Sequence, residues 1–313
     1  MRAADPGFAP AASSVRWPNP RPPPFPMQAQ IFALLTALAF ACSNVLVKSG
    51  FRYSTPLTAT FVSLVIHSVV LWFAVFASGG IPQVALGGVV AIALTGLLQP
   101  AIRHFHYSGI HKIGTSRSVT LRNSYPFLTV VAGIVFLGEP LTFWGMLGTL
   151  LVVVGIVLTS WRIDRNVPAF RWVYLLYPLA TVLLTSIVHP LRRYALLQSD
   201  EPLFFAALVG PVALLSFAAF YLSPACDEKL VWHRRAFWPL VLSGITETLA
   251  VLFMLIAFAT GPVYVVSPIS ATVPIWTMML GAIFLRQIES INLSSIIGAT
   301  SVVAGVIAIS LVK

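Results

Sequence analysis

Hydrophobic positions in this chain come in unbroken runs of about 20 residues, separated by short polar or Gly- and Pro-containing breaks. A run of that length crosses the ~30 Å hydrocarbon core of a bilayer as an α-helix. Ten runs are legible, over approximately 29–49, 57–77, 84–106, 114–137, 142–161, 172–194, 203–223, 237–259, 263–285 and 291–312. They lack the alternation of barrel strands, so the predicted fold class is an all-α membrane protein with ten transmembrane helices. Short connections such as Gly138-Glu139-Pro140 favour sequential antiparallel helices.

The pattern is written twice. Tyr125-Pro126-Phe127-Leu128-Thr129 returns about 148 residues later as Val273-Pro274-Ile275-Trp276-Thr277, and Gly133 and Phe136-Leu137 return as Gly281 and Phe284-Leu285. With a two-residue slip, Glu139, Gly148, Gly155 and Ser160 correspond to Glu289, Gly298, Gly305 and Ser310. Lys48, Arg52-Tyr53 and Pro56-Leu57 answer more loosely to His189, Arg193-Tyr194 and Pro202-Leu203. Five spans per copy is an odd number, so the second copy enters the membrane the other way up, giving two inverted five-helix repeats. Gly148 and Gly155, like Gly298 and Gly305, each share one helix face, which suits close helix packing within a subunit or a homodimer seam.

Composition agrees with this reading. The chain has 313 residues, of which 58% are hydrophobic and only 9% charged, against roughly 25% charged in soluble domains. Its net charge of +10 would point to nucleic acid in a soluble protein. Here the basic residues lie mainly between apolar runs, so they set orientation, contact lipid headgroups or attract anionic solute, and no nucleic-acid partner is expected. Residues 1–27 are Pro-rich and cannot bury a core, so a disordered tail is expected, with Met1 or Met27 as the start. The expected organisation is that tail, a first repeat over 28–161, a loop over 162–171 and a second repeat over 172–313. Cys42 and Cys226 form no metal-spaced group.

The run Arg117-Ser118-Val119-Thr120-Leu121-Arg122-Asn123-Ser124-Tyr125-Pro126, continued by Phe136-Leu137-Gly138-Glu139-Pro140-Leu141-Thr142, resembles the signature of EamA-type members of the drug/metabolite transporter superfamily. The second copy, from Gly261-Pro262 to Leu285, is similar. The resemblance covers nearly everything from 28 to 312. It implies two EamA-like repeats forming a ten-helix secondary carrier that moves small metabolites, often outward, in a bacterial cytoplasmic (inner) membrane. Two departures stand out. Arg286-Gln287 occupies the place of Gly138-Glu139, and the loop near 78–83 lacks the basic residues common there in the family.

Charges inside a span are the sharpest chemical clue, since each costs at least ~2.5–3.5 kcal/mol to insert. Glu247 lies mid-span, and its repeat counterpart is Gln99. Arg122 sits about nine residues into the fourth span, ~13 Å deep at 1.5 Å per residue. The three are expected to face one central cavity. Glu247 is read as a proton- or cation-binding carboxylate, with Arg122 as its partner or as a clamp on an anionic solute; a buried structural ion pair is the competing reading. His67 and His189 are candidates for a relay or for packing. Asn44 and Asn123 can bond solute or bridge helices. Tyr264 and Trp276 can stack on solute or serve as packing.

The densest polar patch, Arg103-His104-Phe105-His106-Tyr107 with His111 and Lys112, reads as a solvated basic rim that draws anions in. Its His-x-His pair lacks a nearby carboxylate or thiolate, so no metal is expected, and no cofactor either. Pro126 and Pro274 lie at matching depths and are read as hinges that bend the fourth and ninth spans. No nucleophile elbow, Walker or zinc-protease motif is present, so the chain reads as no enzyme and as lacking ATP drive. The basic residues concentrate on the side of the loop after the first span, which by the positive-inside rule puts both termini outside, whereas the resemblance implies both in the cytoplasm. The sequence thus points to a proton-coupled carrier, an exporter of an anionic or zwitterionic metabolite working by alternating access. Its expected partners are a small-molecule solute, a proton or other coupling ion, and membrane lipid. The rival reading is a non-transporting scaffold or lipid-handling protein.

Overall fold

A computed structural model describes residues 27–139, 142–160, 171–224, 226, 228–284 and 293–310, and among these the apolar runs are helices with no strand. The first half forms α1 (Met27–Gly50), α2 (Pro56–Ala77), α3 (Leu86–Ile113), α4 (Thr115–Arg122), α5 (Tyr125–Leu137) and α6 (Phe143–Ser160). The second repeats the order as α7 (Leu176–Gln198), α8 (Pro202–Tyr221), α9 (Arg234–Thr260), α10 (Val263–Ser270), α11 (Val273–Phe284) and α12 (Leu293–Ser310), with a 3-10 turn at Trp172–Leu175 before α7. Among the described residues eight segments, rather than ten, are long and apolar enough to cross a bilayer: α1, α2, α3, α4–α5, α7 with its preceding turn, α8, α9 and α10–α11. α6 and α12 carry shorter apolar stretches, Phe143–Leu158 and Thr300–Ile309, and the loops that flank them at 161–170 and 285–292 lie outside the described residues. The tail at 1–26, the loop 162–170 and the Arg286-Gln287 departure lie outside them too.

Helix packing has a two-fold pattern. α1 packs on α9 as α7 packs on α3, α2 meets α9 as α8 meets α3, and the equivalent pairs α2–α8 and α6–α12 pack on each other. The equivalent helices are antiparallel. Along α2 and α8, Phe61 meets Phe217 while Trp72 meets Phe204. Along α6 and α12, a Cβ on Gly148 would lie 2.6 Å from Gly305 O, and one on Gly155 would lie 2.6 Å from Gly298 O. Two copies related by such an axis are inverted relative to each other. The glycine faces expected to serve packing or a homodimer seam are therefore used on each other within one chain, where missing side chains let two backbones approach.

α3 runs seven residues past the end predicted for the third span, to Ile113. Sequence patterning ends that span where polar residues begin. Of those residues Arg103, His106, Tyr107 and Ser108 face the protein interior rather than lipid, so the helix continues through them. At the end of α5, Gly138 adopts a left-handed φ of 64°. Its N–H bonds Ile134 O at 3.1 Å, and Glu139 N–H reaches Gly133 O at 3.4 Å, a closure that favours glycine at this position. This turn carries the Glu139 side chain back under the neighbouring repeat.

Candidate functional site

Gln99, Arg103, His106 and Tyr107 fall at i, i+4, i+7 and i+8 on α3, so a polar stripe runs down one face of an otherwise apolar helix. The stripe is buried, with Arg103 only 1% exposed. Arg103 Nε lies 3.2 Å from Glu247 Oε1 on α9. Its Nη1 donates to Ser63 Oγ at 2.6 Å, and Nη2 lies 3.4 Å from His67 Nδ1. The second Glu247 oxygen accepts from Ser63 Oγ at 2.5 Å and from the Tyr107 hydroxyl. His67 Nε2 is 3.0 Å from Ala206 O, which can only accept, so the ring proton sits on Nε2 and the Nδ1 lone pair faces Arg103. Ser63 and Tyr107 thus donate to this carboxylate, and Arg103 pairs with it by charge.

The partner expected for Glu247, Arg122, is engaged elsewhere. It ends α4, lies 5.2 Å over the Phe40 ring, and puts Nη1 3.3 Å from His106 Nε2. His106 Nε2 is also 2.9 Å from Asn44 Oδ1, and Asn44 Nδ2 is 3.4 Å from Thr277 Oγ1. Arg192 on α7 donates from Nη2 to Gln99 Oε1 at 3.3 Å. Arg122 and Arg192 are 9% and 4% exposed, and neither has a carboxylate partner among the described residues. The Nε atoms of both, together with Ser270 Oγ, are buried without a hydrogen-bond partner. These groups converge on a narrow central cavity of about 30 Å³ lined by Phe40, Gln99, Arg103, His106, Arg122, Asn123, Tyr125, His189, Arg192, Glu247, Val251, Met254 and Ser270, among others. Three guanidinium groups and one carboxylate share this space.

The fourth and ninth spans are each interrupted at the cavity by two residues, with Asn123, Ser124 and Ala271 keeping near-helical angles. α4 and α5 are separated at Asn123-Ser124, and α10 and α11 at Ala271-Thr272, the repeat-equivalent position. Pro126 and Pro274 stand at the second residue of α5 and α11, just past these interruptions, where each lacks the N–H that would continue the helix ladder. The carbonyls ending α4 and α10 are taken by side chains: Asn123 Nδ2 reaches Val119 O at 2.6 Å, Ser124 Oγ reaches Leu121 O at 2.7 Å and Thr272 Oγ1 reaches Ile269 O at 2.8 Å. Tyr125 and Val273, which open α5 and α11, line the cavity.

Of the residues chosen from sequence, Glu247, Gln99, Arg122, Asn123 and His189 line the cavity, with His189 Nδ1 3.3 Å from Ser267 Oγ. His67 and Asn44 stand one layer behind, on Arg103 and His106 respectively. Tyr264 is buried outside the cavity, and Trp276 Nε1 bonds Thr272 Oγ1 at 3.3 Å, one turn before it. The solvated rim expected at 103–112 is corrected. Arg103, His106 and Tyr107 point into the protein, while His111 is exposed and Lys112 Nζ lies 5.3 Å over the Tyr174 ring. The His-x-His pair is thereby split between faces, as residues two apart on a helix must be. Sequence reading missed Arg103, His106, Tyr107 and Arg192. The signal for the first three is their helical spacing from Gln99, and Arg192 stands three residues after His189.

A second polar contact joins the repeats at the edge of the bundle. Both oxygens of Glu139 accept from Val263 N–H, at 3.0 and 3.1 Å, capping the start of α10. Arg193 Nε is 3.9 Å from Glu139, and its Nη1 donates to Phe258 O. Burial raises the Glu139 carboxyl above its ordinary value, opposed by the Val263 N–H and by Arg193.

Two equivalent inverted helical units enclosing a charged cavity define a multi-pass integral membrane protein of transporter type. The EamA-like transporter family matches residues 27–161 and again 172–311, and the chain belongs to that family. No curated protein matches it. Among 29 matching chains of known structure, one described only as a crystal structure of a protein shares the fold with a TM-score of 0.72, at 18% identity over 91% of this chain and 99% of that one.

Proposed function

We propose that this protein is a secondary carrier of a small anionic solute, with ten spans in two inverted repeats that alternately expose the central cavity to either side. The observation carrying this reading is the charge imbalance there: Arg103 is matched by Glu247, while Arg122 and Arg192 are buried with no carboxylate partner among the described residues. A buried charge is costly unless compensated, and an anion held between the two guanidinium groups supplies the compensation. α6 and α12 are the remaining two spans on this reading, since 18 residues reach about 27 Å.

Glu247 is the coupling group in this account. A proton bound there cancels the charge paired with Arg103 and frees that guanidinium for the solute, so proton and anion reinforce each other's binding. A solute with two negative charges that crosses with one proton still carries one net negative charge, which an inside-negative potential drives outward by about 2.3 kcal/mol per 100 mV, so we read the direction of flux as export. Counterflow in proteoliposomes tests the reading. A labelled anion accumulates transiently against unlabelled anion if the protein is a carrier, and a scaffold or lipid-handling protein gives none.

A further inference from the structure

The cavity's two walls differ in chemistry, and the difference narrows the solute. On the α3 wall stand Arg103, His106 and Tyr107. At the repeat-equivalent positions of α9, about 148 residues on, stand Val251, Met254 and Leu255. Val251 and Met254 line the cavity directly, and Leu255 is fully buried behind them. Beyond the equivalent pair Gln99 and Glu247, the α3 wall therefore continues polar while the α9 wall continues apolar.

The only carboxylate lining the cavity among the described residues is Glu247, and its oxygens are already engaged by Arg103, Ser63 and Tyr107. No acceptor charge is left for an ammonium group. An ammonium group would instead meet the two unmatched guanidinium groups of Arg122 and Arg192, and like charges brought together in a desolvated site cost several kcal/mol. Two unmatched cations also ask for two negative charges rather than one.

We infer that the solute is an organic dianion, a dicarboxylate or a phosphomonoester, that carries no amino group and lays a hydrocarbon portion against Val251 and Met254. This rests on the anion-carrier reading and resolves the choice between anionic and zwitterionic solutes that the sequence left open. Arg122 and Arg192 hold the acidic groups, with the unpartnered Ser270 hydroxyl as a further donor, once the cavity widens from its present volume of about 30 Å³ to admit the solute.

Thermal-shift titration of the purified full chain in detergent provides the test. The panel is succinate, glutarate and glycerol phosphate, the amino analogues aspartate and glutamate, monocarboxylates, and inorganic phosphate and sulfate. Ligands that bind the folded state stabilise it in proportion to occupancy. Organic dianions are expected to bind at least tenfold more tightly than their amino analogues and than the inorganic anions. Whether the dicarboxylates or glycerol phosphate give the larger shift decides between the two acid chemistries. Aspartate or glutamate equalling its parent dicarboxylate, inorganic phosphate equalling the organic dianions, or monocarboxylates exceeding them would overturn the inference while leaving anion transport standing. Stabilisation confined to cations or neutral solutes would remove the anion reading itself. In the variant Val251→Thr, which keeps shape and charge but adds a hydroxyl to the apolar wall, binding of the organic dianions is expected to fall severalfold while that of inorganic phosphate stays unchanged; an equal change in both would mean that the apolar wall has no role.

Discussion

Arg103 on α3 and Glu247 on α9 face each other at 3.2 Å in the interior of the bundle, one contributed by each repeat. Ser63 bridges them, donating to the carboxylate while accepting from the guanidinium. This pairing decides how the other cavity cations are read. It withholds from Arg122 and Arg192 the only carboxylate that lines the cavity among the described residues. It also ties the two repeats together at the place where a carrier must rearrange.

Breaking one side of such a pair is costlier than removing both. Arg103→Met should destabilise the protein by about 3–5 kcal/mol, since it strands the Glu247 charge. Arg103→Met combined with Glu247→Leu should recover most of that loss. Thermal unfolding of the two single variants and the double variant in detergent measures the coupling. Additive losses would mean that the pair does not act as a unit.

The Glu139 contact predicts a pH dependence of defined sign. Its carboxyl is raised above the ordinary value of 4.5, so the folded chain holds this proton more tightly than the unfolded chain does. The stabilisation is fully present below about pH 4.5 and is lost as pH rises through the raised value. Glu139→Gln retains an oxygen for Val263 N–H but does not titrate. Relative to that variant, the wild type should lose melting temperature as pH is raised from about 4 to 8. A constant difference across the range would contradict the assignment.

At the α6–α12 crossing, a single methyl has nowhere to go. Gly148→Ala would place its Cβ 2.6 Å from Gly305 O, and overpacking of this kind costs about 1–3 kcal/mol. Gly281→Ala is the control, because nothing lies within 4 Å of that position. The first variant should melt at a lower temperature and the second near the wild-type value.

Orientation follows from separating site cations from loop cations. Arg103 and Arg192 belong to the cavity and Arg193 to the Glu139 contact, so none of them reports sidedness. Lys48, Arg52, Lys112, Arg117, Arg171, Lys229, Arg234 and Arg235 remain, all on the side of the loop after α1, while the loops on the opposite side carry no Lys or Arg among the described residues. We expect that side to be cytoplasmic and both termini outside. A C-terminal alkaline phosphatase fusion should be active and a fluorescent-protein fusion dark; the reverse would place the termini in the cytoplasm.

The helical architecture and the duplication are legible in the sequence because apolar length and the repeat of Gly133, Pro126 and Leu137 depend on local pattern. Glu247, Arg122 and Gln99 are legible as cavity residues because a charged or amide group within an apolar run is tolerated only where it turns away from lipid. Pairing is not legible. Whether Arg103 or Arg122 meets Glu247 depends on how helices distant in sequence rotate against each other, which no local pattern encodes. Arg103 reads as a rim cation in the sequence because polarity ordinarily marks the end of a span. In a helix that lines an internal cavity, polarity continues along the buried face instead. The matching depth of the two prolines is legible too, because each stands just past the interruption of its span.

The central claim is that Arg122 and Arg192 hold a negatively charged solute, and transport by purified protein in proteoliposomes tests it most directly. With internal organic dianion and an imposed potential, the wild type should carry a current whose sign is that of moving negative charge. Arg122→Gln and Arg192→Gln should each reduce it at least tenfold while keeping a near-wild-type melting temperature. Undiminished anion current in both variants would contradict the account.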